Sequence, residues 1–205
     1  MSTAVRPETH FSNQSKPSPK YLVERLEIPD LCVLTPRVMS DPRGFFVEVY
    51  NRSDFAQLGI DCDFVQDNQS KSVHAGTLRG LHFQTPPFAQ AKLVRVLTGA
   101  VFDVAVDLRA GSSTYGRWCS AILSADNFKQ MFIPRGFAHG FCSLEPNTVV
   151  AYKVDNFYSA ECDDGIFWND PDIAIEWPFD SKDIITSDKD SRLRAARQFR
   201  SPFVV

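Results

Sequence analysis

Between residues 21 and 176 the chain is written as short apolar runs cut by turn residues, a punctuation that suits β-strands and little else. Extended runs are predicted over 31–36, 45–50, 92–98, 101–108 and 149–154. In the fourth run the period is explicit. Phe102, Val104, Val106 and Leu108 alternate with Val101, Asp103, Ala105 and Asp107, the pattern of a half-buried strand with one strongly apolar face. Many short strands of this kind imply a sandwich or a barrel. Helical signals are few: a turn and a half over 53–58, started by Ser53 or Asp54 and stopped by Gly59. After a further strand over 172–179, the stretch 188–198, rich in Arg, Ala and Asp, is predicted to form a helix capped by Ser187.

The amount of apolar material bounds the number of cores. With 205 residues, 43% hydrophobic and seventeen phenylalanines, the chain supports one large domain rather than two. Residues 1–20, with three prolines among Ser, Asn, Gln and Lys, are expected to be a flexible leader, and 21–205 the folded domain. A net charge of −3 excludes a general binder of polyanions or nucleic acid, so an anionic ligand must meet a local basic cluster. Five scattered cysteines without CxxC spacing read as reduced structural thiols. No run approaches the roughly 20 apolar residues that span a bilayer, and the start lacks a signal peptide's apolar stretch, so a cytoplasmic location is expected.

Only four histidines occur, and two share a context. Thr77-Leu-Arg-Gly-Leu-His-Phe-Gln84 and Ile133-Pro-Arg-Gly-Phe-Ala-His-Gly140 each set one histidine in a β-type apolar run flanked by glycine, which predicts two imidazoles, His82 and His139, facing one interior. A metal centre is one use for such a pair. Pro134-Arg-Gly-Phe-Ala-His139 has the form of a cupin's second metal motif, but the first reads His82-Phe-Gln84 in place of His-x-His, and no acid follows before Lys92. Two imidazoles beside a lysine make a poor divalent site, so no metal or other cofactor is expected. Proton transfer fits better, with Asp190 or Asp103 to hold the imidazole.

The motifs Asp41-Pro-Arg-Gly-Phe-Phe-Val-Glu48, Phe64-Val-Gln-Asp-Asn68, Leu78-Arg-Gly-Leu-His-Phe-Gln84, Lys92-Leu-Val-Arg95, Val101 to Asp107, Ser113-Thr-Tyr-Gly116, Ile133 to Gly140, Phe167-Trp-Asn-Asp170 and Ile175-Glu-Trp-Pro178 resemble, in order, those of the dTDP-4-dehydrorhamnose 3,5-epimerase family. The resemblance spans roughly 21–190. It implies an all-β, metal-free cupin-type jelly-roll barrel with a few short flanking helices, one near the C-terminus, usually a homodimer. The implied substrate is dTDP-4-dehydro-6-deoxyglucose. Abstraction of the hydrogen at C3 or C5, beside the C4 ketone, gives an enolate, so the reaction needs a base, an acid on the other face and a cation for the oxyanion.

The resemblance implies His82 as base, Asp190 as its orienting carboxylate, Tyr152 as proton donor and Lys92 as the cation. It assigns Arg43, Arg79 and Lys189 to the diphosphate or sugar, since a guanidinium fork suits phosphate oxygens. Glu48, Gln66 and Asn68 fall at the thymidine end, Tyr158 on the thymine ring with Phe157 beside it as the alternative, His139 in the sugar site, and Asp163 where the family often has Glu. Regular alternation would send Arg79 and His82 to opposite faces, so either Gly80 marks a bulge or Arg79 reaches round a strand end. A relative acting at C3 or C5 alone would use the same His and Tyr, whereas a silent sugar-nucleotide binder would have lost one of them.

Overall fold

The predicted runs are realised as strands in a computed structural model that describes residues 19–205. The leader expected over 1–20 lies outside the described residues apart from 19 and 20. In chain order the strands are β1 (Tyr21–Arg25), β2 (Cys32–Pro36), β3 (Val38–Asp41), β4 (Gly44–Val47), β5 (Gln66–Ser72), β6 (Leu78–Gln84), β7 (Lys92–Thr98), β8 (Ala100–Asp107), β9 (Trp118–Ser124), β10 (Gln130–Ile133), β11 (Phe137–Ser143), β12 (Thr148–Val154) and β13 (Asp163–Gly165). They build a six-stranded sheet, β1-β2-β10-β7-β12-β5, and a five-stranded sheet, β13-β6-β11-β8-β9, with β3 and β4 forming a separate hairpin. All of the pairings between these strands are antiparallel, and the double-sheet jelly roll is the expected architecture.

The two sheets each pack apolar residues on both of their faces. Between them pack Val94 and Val96 of β7, Ala105 of β8, Met131, Phe141 and Val150. Behind the six-stranded sheet, Leu34, Leu93 and Phe132 meet Phe55 and Ile60. Behind the five-stranded sheet, Val104, Val106 and Leu108 are covered by Ile173, Ile175, Phe199 and Phe203 from the C-terminal part of the chain. The half-buried reading of β8 is therefore corrected. Its apolar face looks outward, under the C-terminal tail, while the face bearing Asp103 and Asp107 turns inward, both carboxylates being 0% exposed. Charges buried in this way need partners. Asp107 takes hydrogen bonds from Arg109, Ser112 and Thr114, and Asp103 is bonded to His139.

Three further expectations are corrected. The first helix, α1 (Arg52–Gln57), is capped by Asn51 rather than Ser53 or Asp54: in its extended conformation, Asn51 turns its carboxamide oxygen to the amides of both. The run 172–179 is no strand, because Ala174 sits at φ +52 and its amide turns back to the Asp170 carbonyl. Residues 188–198 do not form a continuous helix but two 3-10 turns, Asp190–Arg192 and Ala196–Gln198. The Ser187 cap is present, its hydroxyl accepting the Asp190 N–H, but the Arg194 carbonyl accepts the Phe167 N–H and draws the chain into extended pairing after one turn. Among the described residues no helix is long and apolar enough to cross a membrane.

Candidate active site

The site begins with an irregularity in β6. His82 pairs with His139 of β11 and Arg79 with Phe141, so Gly80 and Leu81 together face the single residue Gly140. The extra residue is a bulge, and it reverses the alternation between Arg79 and His82. Both side chains consequently line one cavity of about 420 Å³ with Lys92, His139, Tyr152, Lys189 and Asp190. Gly80 is required here. Its φ is +133, and a Cβ would come within 2.6 Å of the Gly140 Cα and 2.8 Å of the His139 carbonyl oxygen.

The two imidazoles are each held by their own carboxylate. His82 Nε2 lies 2.7 Å from Asp190 Oδ1, and the second oxygen of Asp190 accepts the Gly80 N–H at 3.1 Å. Burial opposes the charge on Asp190, but the bonds from His82, Gly80 and Ser187 outweigh it and hold its carboxyl below the ordinary carboxylate range. An ionised Asp190 keeps the proton of His82 on Nε2 and leaves Nδ1 to accept another. His139 Nε2 is 2.9 Å from Asp103 Oδ1. Burial drives the pKa of His139 down, with Asp103 opposing and Lys92 and His82 reinforcing the shift, so this second ring is neutral at pH 7.

Facing these two histidines of the five-stranded sheet, the six-stranded sheet contributes Tyr152 from β12 and Lys92 from β7. Tyr152 packs beside the central core, and burial raises its phenol, which keeps the proton on the oxygen. Lys92 is 8% exposed and donates to the His82 carbonyl at 3.3 Å. Burial lowers its ammonium to about 8, against the pull of Asp103 and Asp163. A carboxylate-held imidazole, a protonated phenol and a buried lysine thus share one cavity, the imidazole and the phenol on opposing walls.

A contiguous cavity of about 410 Å³ adds Gln66, Asn68, Tyr158 and Asp163 to His82, Lys92, Tyr152 and Lys189. Gln66 and Asn68 face inward beside Tyr152, joined by a 2.9 Å hydrogen bond. Tyr158 directs its hydroxyl to Asp163 at 3.3 Å, and Asp163 also pairs with Lys189. Arg79 bonds the Lys71 carbonyl at 2.9 Å at the cavity rim. Two expected residues stand apart and line neither cavity. Arg43, at the tip of the β3–β4 hairpin, has an 89% exposed side chain bonded to Asp41, and Glu48 meets Lys20 on the surface. The hairpin rests Phe45 against Phe128 of its own chain, 4.9 Å between ring centroids, and neither Arg43 nor Glu48 reaches this site.

Two polar residues at the site carry no assignment in the motifs. Ser70, on the inward face of β5, has a buried hydroxyl without a hydrogen-bond partner among the described residues, and Gln84 is buried two residues beyond His82. Strand alternation alone places Gln84 on the face of His82.

Comparison with known proteins bears on the family and the fold. The family model described as dTDP-4-dehydrorhamnose 3,5-epimerase matches residues 25–198. A protein of that name from Escherichia coli is 52% identical over 172 residues, covering 83% of this chain and 92% of its own. The crystal structure of the Bacillus anthracis protein with TDP and PPi bound superposes with TM-score 0.83 at 51% identity, covering 85% of this chain and 99% of that one. The Legionella pneumophila structure in complex with dTDP-4-keto-L-rhamnose gives TM-score 0.84 at 41% identity, covering 88% and 95%.

Proposed function

The chain belongs to the dTDP-4-dehydrorhamnose 3,5-epimerase family of isomerases, and from that premise we propose that it inverts C3 and C5 of dTDP-4-dehydro-6-deoxyglucose in dTDP-rhamnose synthesis, with His82 as base and Tyr152 as acid. The observation that carries the mechanism is the placement of these two groups on opposite sheets across one cavity, with the His82–Asp190 contact at 2.7 Å behind the base. Inversion at carbon requires removal of a proton from one face and its return to the other.

In this reading His82 Nδ1 takes the proton from the carbon beside the C4 ketone, and the electron pair moves to O4. The Asp190 carboxylate stabilises the imidazolium. The Lys92 ammonium stabilises the oxyanion in a site where little water screens it. Tyr152 returns a proton to the opposite face and is reprotonated from solvent, to which His82 releases the proton it took. Arg79 and Lys189 meet the diphosphate, His139 hydrogen-bonds the sugar, Gln66, Asn68 and Asp163 position the thymidine end, and Tyr158 stacks on the base.

We further propose a two-fold homodimer. Arg43 shares its hairpin with Met39, Phe45 and Phe46, which are 50%, 62% and 64% exposed, an apolar surface suited to a second copy. In that arrangement Arg43 and Glu48 complete the neighbour's site.

The test is incubation with dTDP-4-dehydro-6-deoxyglucose in D2O, following deuterium at each carbon by NMR. Wild type is expected to exchange at both C3 and C5, and His82→Asn to lose about 10³-fold in rate at both. Exchange at a single carbon would replace the assignment with a narrower epimerase, and undiminished exchange in the variant would remove His82 as base.

A further inference from the structure

Gln84 ends β6 two residues past His82, on the same inward face, and is 4% exposed. All of its donor capacity is committed. Nε2 donates to the Phe88 carbonyl at 2.7 Å and to the Phe157 carbonyl at 3.0 Å, and Oε1 accepts the Ser159 N–H at 2.7 Å. A carboxamide has two N–H groups, so although Gln84 lines the cavity it has none left to offer a ligand. What it grips is the segment 156–159, which follows β12 and carries Tyr158.

That segment has little else to hold it. Phe157 and Tyr158 are each 60% exposed, so apolar burial contributes little to its position, and hydrogen bonds decide where it lies. Besides those to Gln84, they run from Gln90 Nε2 to the Asn156 carbonyl at 2.8 Å, from Asn156 Nδ2 to the Pro87 and Ala89 carbonyls at 3.1 and 3.5 Å, from the Tyr158 N–H to Gln66 Oε1 at 3.2 Å, and from the Tyr158 hydroxyl to Asp163 at 3.3 Å. Gln84 alone ties the segment to the strand that carries the His82 ring.

We propose that Gln84 is a positioning residue: it clamps segment 156–159 to β6 and so sets the distance between the proton-abstracting His82 and the aromatic face on which the nucleoside rests. The inference builds on the reading of Tyr158 as the stacking residue. It requires that loss of the clamp loosen Tyr158 and weaken nucleotide binding while sparing the chemistry at saturation.

Gln84→Glu is the informative variant. It preserves shape but turns a carboxylate oxygen toward two carbonyls that had received N–H donors. Amide hydrogen exchange of the free protein is expected to accelerate about tenfold at Tyr158, whose N–H Gln84 does not touch, and at Ser159. The Kd for dTDP by calorimetry is expected to rise about tenfold and KM with it, with kcat within about twofold of wild type. In a Tyr158→Ala background the same substitution is expected to change the Kd by less than about twofold, because the contact it positions is already gone. If Gln84→Glu does not fold, Gln84→Asn, too short to span both carbonyls, is expected to shift the same readouts in the same direction. Unchanged exchange at Tyr158 overturns the proposal, as does a wild-type Kd in Gln84→Glu alongside weakened binding in Tyr158→Ala. Wild-type affinity in Tyr158→Ala instead overturns the stacking reading on which the functional claim rests, and the exchange data then still report whether the clamp exists.

Discussion

Lys92 is the residue that the site holds at greatest cost. Its folded pKa of about 8 lies below a lysine's ordinary value of 10.5, so between those pH values the unfolded chain carries a proton that the folded chain lacks. Stability from this group therefore rises with pH across that window, and below it the whole burden of burying the ammonium is present. Lys92→Met, close in length and uncharged, is expected to stabilise the fold at pH 7 by as much as about 3 kcal/mol, measured by urea unfolding. Its kcat is expected to fall by about 10²-fold or more, since the oxyanion loses its cation. In wild type the rate should decline as pH rises through about 8, and this limb should be missing from the variant's profile. A destabilised Lys92→Met would show instead that the ammonium is a net structural partner of Asp103. At this scale the sequence was informative where chemistry marks a residue: the two imidazoles, the lysine and Asp190 are found together as the motifs implied. Gln84 was not legible, because nothing in a glutamine's identity reveals which carbonyls a distant segment will bring to it.

Among the elements, β6 is the one whose irregularity makes the site. The clash between Arg79 and His82 under strict alternation is visible in the sequence, and Gly80 is the residue that resolves it, since no side chain fits between β6 and Gly140. Gly80→Ala is expected to cost about 3 kcal/mol or more through positive φ and backbone overlap together, read as a lowered midpoint in urea. The surviving folded fraction should show reduced kcat, because relief of the overlap displaces the His82 strand from Asp190. Full stability with full activity would mean that the bulge relaxes freely. Other elements were misread for physical reasons. The alternation in β8 was correctly periodic, but period does not say which side is the core, and here the apolar side meets the C-terminal tail while Asp103 faces the cavity. The helix predicted over 188–198 has the right cap and composition, yet pairing of Arg194 with Ile166 overrides local propensity and leaves Asp190 on a strap that can reach β6.

At the scale of the whole molecule, two residues of the matched motifs, Arg43 and Glu48, line neither cavity that gathers the others. Arg43 sits on a hairpin paired only with itself, whose Phe45 and Phe46 face outward, and the same chain offers its own site no residue from that region. Sequence order could not separate a residue that folds into its own site from one that crosses to a neighbour's, since both read as the same motif. A crossing arrangement makes a prediction that a self-contained site does not. In a dimer with exchanged hairpins, a His82→Asn chain still lends Arg43 to its partner, and an Arg43→Ala chain still supplies His82. The heterodimer of the two then contains one site with both residues intact and one with neither. Equal coexpression gives half heterodimers by random pairing, so the mixture should recover about a quarter of wild-type activity while each variant alone has far less. When the two variants are instead purified separately and mixed, the recovery should appear only after the subunits have exchanged, and sedimentation should give the mass of two chains. A mixture no more active than the mean of its parents would place Arg43 outside the neighbouring site and leave the exposed phenylalanines to be covered by something other than a second copy.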